Sequence, residues 1–129
     1  MKTTLALVTG LLIGLSASTA AAPQITQKIV LWDRNEAKAN AKLLLTKKSY
    51  QCLNKLLSKE SAWNPLAKNP KSSAKGIGQL LDGTYKSIGM KHVYKEDAQL
   101  IAVLAYISRH YGSGGTCAAW RHFQKHNWY

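Results

Sequence analysis

Several sequence signals that identify common classes of enzyme are missing from this chain of 129 residues. It contains no HExxH or CxxC pattern and no G-x-S-x-G turn, so it has no recognisable zinc-protease, paired-cysteine metal or serine-hydrolase motif. His122 and His126 are four residues apart, but a metal site would need a third ligand nearby. No internal repeat or low-complexity tract is present. We therefore expect one domain without a metal.

Long apolar runs are also missing, except near the amino terminus. Leu5 to Leu15 is apolar, follows a basic start, and leads into small residues that continue to Ala22. This pattern is typical of a signal peptide over residues 1–22, cleaved near Ala20–Ala22. The apolar run is too short for a stable membrane span, and polar residues follow it closely. The alternative is an amino-terminal anchor that is not cleaved. We expect an exported protein, periplasmic or extracellular, whose mature domain is 23–129.

Acidic residues are scarce. Six Asp and Glu stand against 18 Lys and Arg, which gives a formal net charge of +12. Such a surface attracts polyanions. The lysines are scattered along the chain and do not gather with aromatics in one stripe, and an exported protein meets the cell envelope first. We expect anionic envelope polymers as partners and no nucleic acid, although the charge also serves general solubility.

Cysteine is nearly absent, since the chain contains only Cys52 and Cys117. In an exported protein such a pair predicts one disulfide, with a cysteine nucleophile as the alternative. A bond across the separation of 65 residues would remove roughly 4 kcal/mol of unfolded-state freedom on the chain-entropy model. The mature chain is long enough for one modest core, and we expect a monomer.

Helical periodicity dominates the rest of the chain, and strand signals are weak apart from a short stretch between Gly76 and Leu81. Asp82 is expected to cap a short helix. The helix that follows it is apolar on nearly every side and should be buried centrally. The predicted fold class is mainly α, a single domain with at most a very short β-hairpin and a core over 50–129. The predicted helices cover about residues 35–49, 50–62, 82–87, 95–110 and 117–125.

Glu60 fits the helical pattern least, because it shares a helix face with Leu53 and Leu57. A carboxyl beside apolar groups has its charged form disfavoured and its pKa raised. A raised pKa is what a general acid needs near neutral pH. The alternative is a glutamate at a helix end that pairs with Lys59 or Lys75.

A glycine-containing turn follows in the sequence. Gly76-Ile77-Gly78-Gln79 places two glycines around a β-branched residue, and glycines let a chain or a ligand approach the backbone closely. Gln79 could hydrogen-bond a sugar or orient Glu60. Some aromatic side chains could line a groove for sugar faces, while most are expected in the core. The aromatic candidates are Trp63, Tyr85, Tyr94, Tyr106, Tyr111, Trp120, Trp128 and Tyr129.

These residues together resemble a known family. Glu60-Ser61, followed by Gly76-Ile77-Gly78-Gln79, resembles the ES…GLMQ signature of the lytic transglycosylase (SLT) family, which has a lysozyme-like fold. The similarity extends over about residues 35–129. Its further segments, similar to small secreted members, are 50–65, 99–112 and 117–129.

The resemblance implies roles for four residues. Glu60 takes the position of the family's single catalytic acid/base, and Ser61 follows it in an orienting or substrate-binding role. Gln79 matches the substrate-contacting glutamine, and Tyr106 matches a tyrosine near the active site. The implied reaction cleaves the β-1,4 bond between N-acetylmuramic acid and N-acetylglucosamine in peptidoglycan and closes a 1,6-anhydro ring. It requires no metal or organic cofactor.

Two other functions remain open at this stage. A lysozyme-type hydrolase would need a second carboxylate across the scissile bond. Among the other acidic residues only Asp82 lies near enough in the chain to be a plausible partner. Alternatively, a non-catalytic cationic protein would use the charge to bind glycan or to disrupt membranes.

Overall fold

The computed structural model describes residues 34–129. This part of the chain is mainly helical, which confirms the predicted fold class. Within it no strand forms, and isolated bridges alone join Lys68 to Lys75 and Lys75 to Leu80. The predicted signal peptide, 1–22, lies outside the described residues. The elements are α1 (Arg34–Leu44), α2 (Lys47–Glu60), α3 (Asp82–Ser87), α4 (Glu96–Tyr111), a 3-10 turn (Gly112–Gly114) and α5 (Gly115–His126).

The boundary between the first two helices differs from the prediction. The predicted helices, 35–49 and 50–62, place the boundary between residues 49 and 50. In the structure the helical conformation is interrupted about four residues earlier, at Thr46. This residue is extended, and its hydroxyl accepts a hydrogen bond from the Ser49 N–H at 3.2 Å. A threonine cap satisfies one of the free N–H groups at a helix start, so α2 begins at Lys47. Leu44, the last residue of α1, is 63% exposed.

The core forms between the helices, where α1 and α5 each pack against both α2 and α4. The leucines of α2 that were predicted to share a face with Glu60 are fully buried. The α4 helix contributes Leu100, Val103 and Ile107 to the same core, as expected for the central helix. Ile101 of α4 nevertheless stays 55% exposed. In the described part of the chain, no helix is long and apolar enough to cross a membrane.

A disulfide joins α2 to α5. The Cys52 and Cys117 sulfurs are bonded, which confirms the predicted pair. Beside it, the Thr116 hydroxyl donates to the Ser49 carbonyl oxygen at 2.8 Å. The helix that ends at Glu60 is thus fixed covalently to the helix that leads into the last residues of the chain.

Asp82 does not cap α3 as predicted. Leu81 occupies the cap position without a side-chain hydrogen bond, and Asp82 is the first helical residue. Its carboxylate instead lies 2.7 Å from the Lys75 ammonium. An acidic side chain in the first turn still interacts favourably with the helix dipole. The predicted helix start is therefore correct to within one residue, but Asp82 lies inside the helix and does not cap it.

Candidate active site

Glu60 is the last residue of α2, and an unusual turn follows it. Ala62 and Trp63 both have left-handed backbone angles, with φ of 52° and 61°. Non-glycine residues rarely adopt this conformation, so tertiary packing must hold the turn. The packing comes from Trp63, which is 1% exposed and donates its indole N–H to the Asn54 side chain at 3.1 Å. This turn fixes the end of the helix that carries Glu60.

Glu60 lies in a cavity of about 550 Å³, a volume in the usual range for binding sites of small ligands. The lining combines amide, hydroxyl, aromatic and aliphatic side chains. Among the described residues that line it, one has a carboxyl side chain and none is Lys or Arg, although the chain has 18 basic residues. The cavity therefore suits an uncharged ligand with both polar and apolar surface. Its lining residues are Glu60, Asn69, Ala74, Gly78, Gln79, Leu80, Leu81, Thr84, Tyr106, Asn127, Trp128 and Tyr129.

The Glu60 carboxyl is only partly exposed. Burial raises its pKa from an ordinary 4.5 to about 7. Among the described residues, no side chain forms a hydrogen bond or an ion pair with it, and Lys75, one of the two predicted partners, pairs with Asp82. The predicted alternative of a paired helix-end glutamate is therefore not what the structure contains. A carboxyl that titrates near pH 7 can both donate and accept a proton there.

The raised pKa predicts a pH dependence of stability. Because the pKa is higher in the folded than in the unfolded chain, the folded state binds this proton more tightly. The penalty for burying Glu60 is absent below about pH 4.5 and grows as the pH rises toward 7. We expect the free energy of unfolding of the wild type, relative to Glu60→Gln, to fall by about 1–2 kcal/mol over that range, allowing for solvent screening.

Urea unfolding of both proteins at pH 4.5 and pH 7 measures this difference. Effects of the remaining titratable groups cancel, since both proteins share them. Parallel pH profiles for the two proteins would show that the pKa of Glu60 is not raised.

The two glycines of the Gly76–Gln79 turn are required by the protein's own packing. Gly76 has a φ of +79°, and a Cβ there would lie 2.8 Å from Cδ of Gln99. A Cβ on Gly78 would lie 2.6 Å from the Tyr129 hydroxyl. The close approach predicted for these glycines is therefore made by side chains of α4 and of the carboxyl-terminal segment.

Ser61 and Gln79 both take part in this turn. The Ser61 hydroxyl donates to the Ile77 carbonyl oxygen at 2.7 Å, which ties the end of α2 to the turn, but Ser61 does not line the cavity. Gln79 does line it, and its amide nitrogen donates to the carbonyl oxygens of Gly76 and Ala67 at 3.0 and 3.3 Å. These bonds orient the Gln79 side chain and leave its amide oxygen free of hydrogen bonds from the described residues. A substrate role for either residue stays a prediction.

Tyr106 lines the cavity from α4. Its hydroxyl donates to the carbonyl oxygen of Tyr129 at 3.0 Å, and the two rings meet edge to face. Tyr129 is 8% exposed, and its own hydroxyl donates to the Gly78 carbonyl oxygen at 2.8 Å. The two tyrosines thus connect α4, the chain's last described residue and the glycine turn around Glu60.

Two residues support the site in ways that were not predicted: Gln99 was not singled out, and Tyr129 was named only as an aromatic that could line a groove. Gln99 is completely buried; its side-chain oxygen accepts from the Ile77 N–H at 2.8 Å, and its nitrogen donates to the carbonyls of Pro65 and Val93. A buried amide with all its hydrogen bonds made is a strong local constraint. A polar residue entering the apolar stretch of α4 was an available signal for Gln99. Nothing in the sequence indicated that Tyr129 would reach Gly78.

His122 and His126 lie near each other on α5, with ring centroids 4.4 Å apart. The Nδ1 atom of His122 is 2.9 Å from the carbonyl oxygen of Trp128. Within residues 34–129, no group of three or more His, Cys, Asp or Glu side chains could hold a metal ion.

The mainly helical architecture is consistent with a lysozyme-like fold, and its cleft presents a carboxyl of raised pKa. The family model described as the transglycosylase SLT domain matches residues 38–110, and the chain therefore belongs to this family. Glu60, Ser61, Gln79 and Tyr106 all lie inside the match, whereas α5 and the last residues lie beyond it. Neither a curated protein nor a solved structure matches the chain.

Proposed function

We propose that this protein is a peptidoglycan lytic transglycosylase in which Glu60 is the single acid/base. The observation that carries the proposal is a carboxyl with a pKa of about 7 in a cavity; among residues 34–129, no side chain pairs with this carboxyl and no Lys or Arg lines the cavity. Family membership supports peptidoglycan as the substrate class. The cavity suits sugar rings, because their hydroxyl and acetamido groups can bond to amide and hydroxyl side chains while their faces pack on aromatics.

The proposed reaction uses Glu60 twice. The protonated carboxyl first gives its proton to the oxygen that links N-acetylmuramic acid to N-acetylglucosamine, and the C1–O bond of the muramic residue breaks. The substrate's own acetamido oxygen bonds to C1 and stabilises the positive charge. The C6 hydroxyl then replaces it at C1, and the ionised Glu60 takes the hydroxyl proton. The products are an N-acetylglucosamine end with a free hydroxyl and a 1,6-anhydro end, so no water is consumed.

The other site residues have supporting roles in this proposal. The free amide oxygen of Gln79 accepts a hydrogen bond from a sugar hydroxyl or acetamido N–H. The Tyr106 hydroxyl oxygen is a further acceptor in the lining of the same cavity. Ser61, whose hydroxyl is bonded to Ile77, acts by holding the Gly76–Gln79 turn against the end of α2.

A lysozyme-type hydrolase is less compatible with this arrangement. Such an enzyme needs a second carboxylate within several ångströms of the scissile bond. Asp82, the candidate, has an exposed side chain that pairs with Lys75 and does not line the cavity. No other carboxyl side chain of the described residues lines it either. One acid/base suffices for a transglycosylase, because the substrate supplies both the acetamido group and the attacking hydroxyl.

Mass spectrometry of soluble products from purified peptidoglycan tests the proposal. We expect fragments with 1,6-anhydro-muramic ends from the wild type and none from Glu60→Gln. Reducing-end fragments would instead identify a hydrolase and direct attention to Asp82. If neither protein released products while both bound the polymer, the non-catalytic glycan-binding function would replace the enzyme. Full killing activity in heat-denatured protein would favour membrane disruption.

The proposed location is outside the cytoplasm, in the periplasm or beyond the cell. The disulfide between Cys52 and Cys117 forms readily in an oxidising compartment, and peptidoglycan lies there. The net charge of +12 would hold the protein near anionic envelope polymers, while the cavity itself stays free of basic groups.

A further inference from the structure

The segment after α5 contributes to the cavity although it lies beyond the family match. Asn127, Trp128 and Tyr129 all line the cavity that contains Glu60, whereas the SLT match ends at residue 110. None of the three belongs to the residues with a role implied by the family signature. What this segment adds to the site must therefore be inferred from its own geometry.

The segment is held in a defined position. Asn127 ends α5 in a left-handed conformation, with a φ of 59°. Tyr129 is bonded at two points, through its hydroxyl to Gly78 and through its carbonyl oxygen to Tyr106. Trp128 lies between these two fixed residues, so its direction is set by the backbone on both sides.

Trp128 differs from its neighbours because its indole stays accessible. Its side chain is 58% exposed beside the cavity, while Tyr129 is buried. The ring of His122 meets the indole edge to face with centroids 4.2 Å apart, and His122 Nδ1 is 2.9 Å from the Trp128 carbonyl oxygen. An exposed tryptophan held in place at the wall of a cleft offers a flat apolar face at little further entropic cost on binding.

We propose that Trp128 forms a sugar-binding subsite, in which its indole face stacks on an N-acetylated pyranose ring of the glycan strand beside the bond that Glu60 cleaves. This inference rests on the proposed function for the identity of the ligand. An uncharged ring is favoured because no Lys or Arg is among the described residues that line the cavity. The amide of Asn127, next to Trp128 in the same lining, is a hydrogen-bond partner for the ring's polar edge.

Binding of peptide-free glycan strands of alternating N-acetylglucosamine and N-acetylmuramic acid tests the subsite. The measurements use the full chain with Glu60→Gln, so that no strand is cleaved. We expect Trp128→Ala to raise Kd about tenfold and Trp128→Phe to raise it about threefold, since aromatic stacking commonly contributes this much to binding. Both variants should unfold at nearly the parent temperature, because the side chain is exposed.

Trp120→Phe is the matched control. Trp120 stacks on Phe123 and does not line the cavity, so this exchange should leave Kd unchanged. Strand binding should also change the tryptophan fluorescence of the parent and of Trp120→Phe, and this change should be lost in Trp128→Phe. Equal Kd values for the parent and Trp128→Ala would overturn the subsite, as would a parent that does not bind the strands. The proposed function is tested separately, through the release of peptidoglycan fragments by the protein that retains Glu60.

Discussion

Replacement of Glu60 by glutamine is expected to lower the rate of peptidoglycan cleavage by about 1,000-fold, because one carboxyl acts in both proton transfers. Glutamine has nearly the same shape but cannot give a proton to the leaving oxygen or take one from the C6 hydroxyl. Release of soluble fragments, followed over time and normalised to protein concentration, measures the effect. A variant that kept more than a tenth of the wild-type rate would exclude Glu60 as the acid/base.

The fold should survive this replacement. The carboxyl forms no hydrogen bond or ion pair with the described residues, so none is lost, and at neutral pH an unfavourably buried charge is removed. The midpoint of thermal unfolding of Glu60→Gln should therefore equal or exceed that of the wild type at pH 7. Asp82→Asn is the matched control, since it neutralises an exposed carboxylate outside the cavity. We expect its cleavage rate to remain within about twofold of the wild type, because surface ion pairs contribute little.

Removal of the disulfide is expected to have the largest effect on stability. The variant with both Cys52→Ser and Cys117→Ser should lose about 4 kcal/mol of unfolding free energy on the chain-entropy model, because its unfolded chain regains the freedom of the 65-residue loop. Domains of this size have only about 5–15 kcal/mol in total. The disulfide also connects the helix of Glu60 to the helix that precedes Trp128. In the double variant, the rate of peptidoglycan cleavage should therefore become more sensitive to temperature.

Urea unfolding with and without a reducing agent measures this contribution. The reducing agent should destabilise the wild type to about the level of the double variant and should leave the variant unchanged. Mass spectrometry without reduction should find no free thiol in the wild type. Equal stability of the oxidised wild type and the double variant would mean that closing the loop does not stabilise this fold.

The helices and the candidate acid were accessible from the sequence because both depend on local patterns. Leucines at helical spacing placed Glu60 on an apolar face of α2, and its raised pKa follows from that burial. The cysteine pair could be predicted because an exported chain with two cysteines has one possible intramolecular bond. The break at Thr46 was missed because the apolar pattern continues through it, whereas a cap depends on the backbone angles of a single residue.

The function of the glycine turn required the tertiary structure. The sequence indicated a close approach at Gly76 and Gly78 but not which groups approach. Gln99 and Tyr129 do so from positions 22 and 51 residues away from their hydrogen-bond partners in the turn. Such contacts depend on how α4 and the end of the chain pack, and a local pattern contains no information about that packing.

The sequence by itself determined a mainly helical domain, the Cys52–Cys117 pair and the one carboxyl placed among leucines, since each follows from residue type and spacing. Only the tertiary structure decided that Lys75 pairs with Asp82 and not with Glu60. It also brought Trp128 to the cavity, whose lining contains no Lys or Arg among the described residues. The physical reason is that the protonation and accessibility of a group depend on everything packed around it, and in this chain those neighbours come from distant segments.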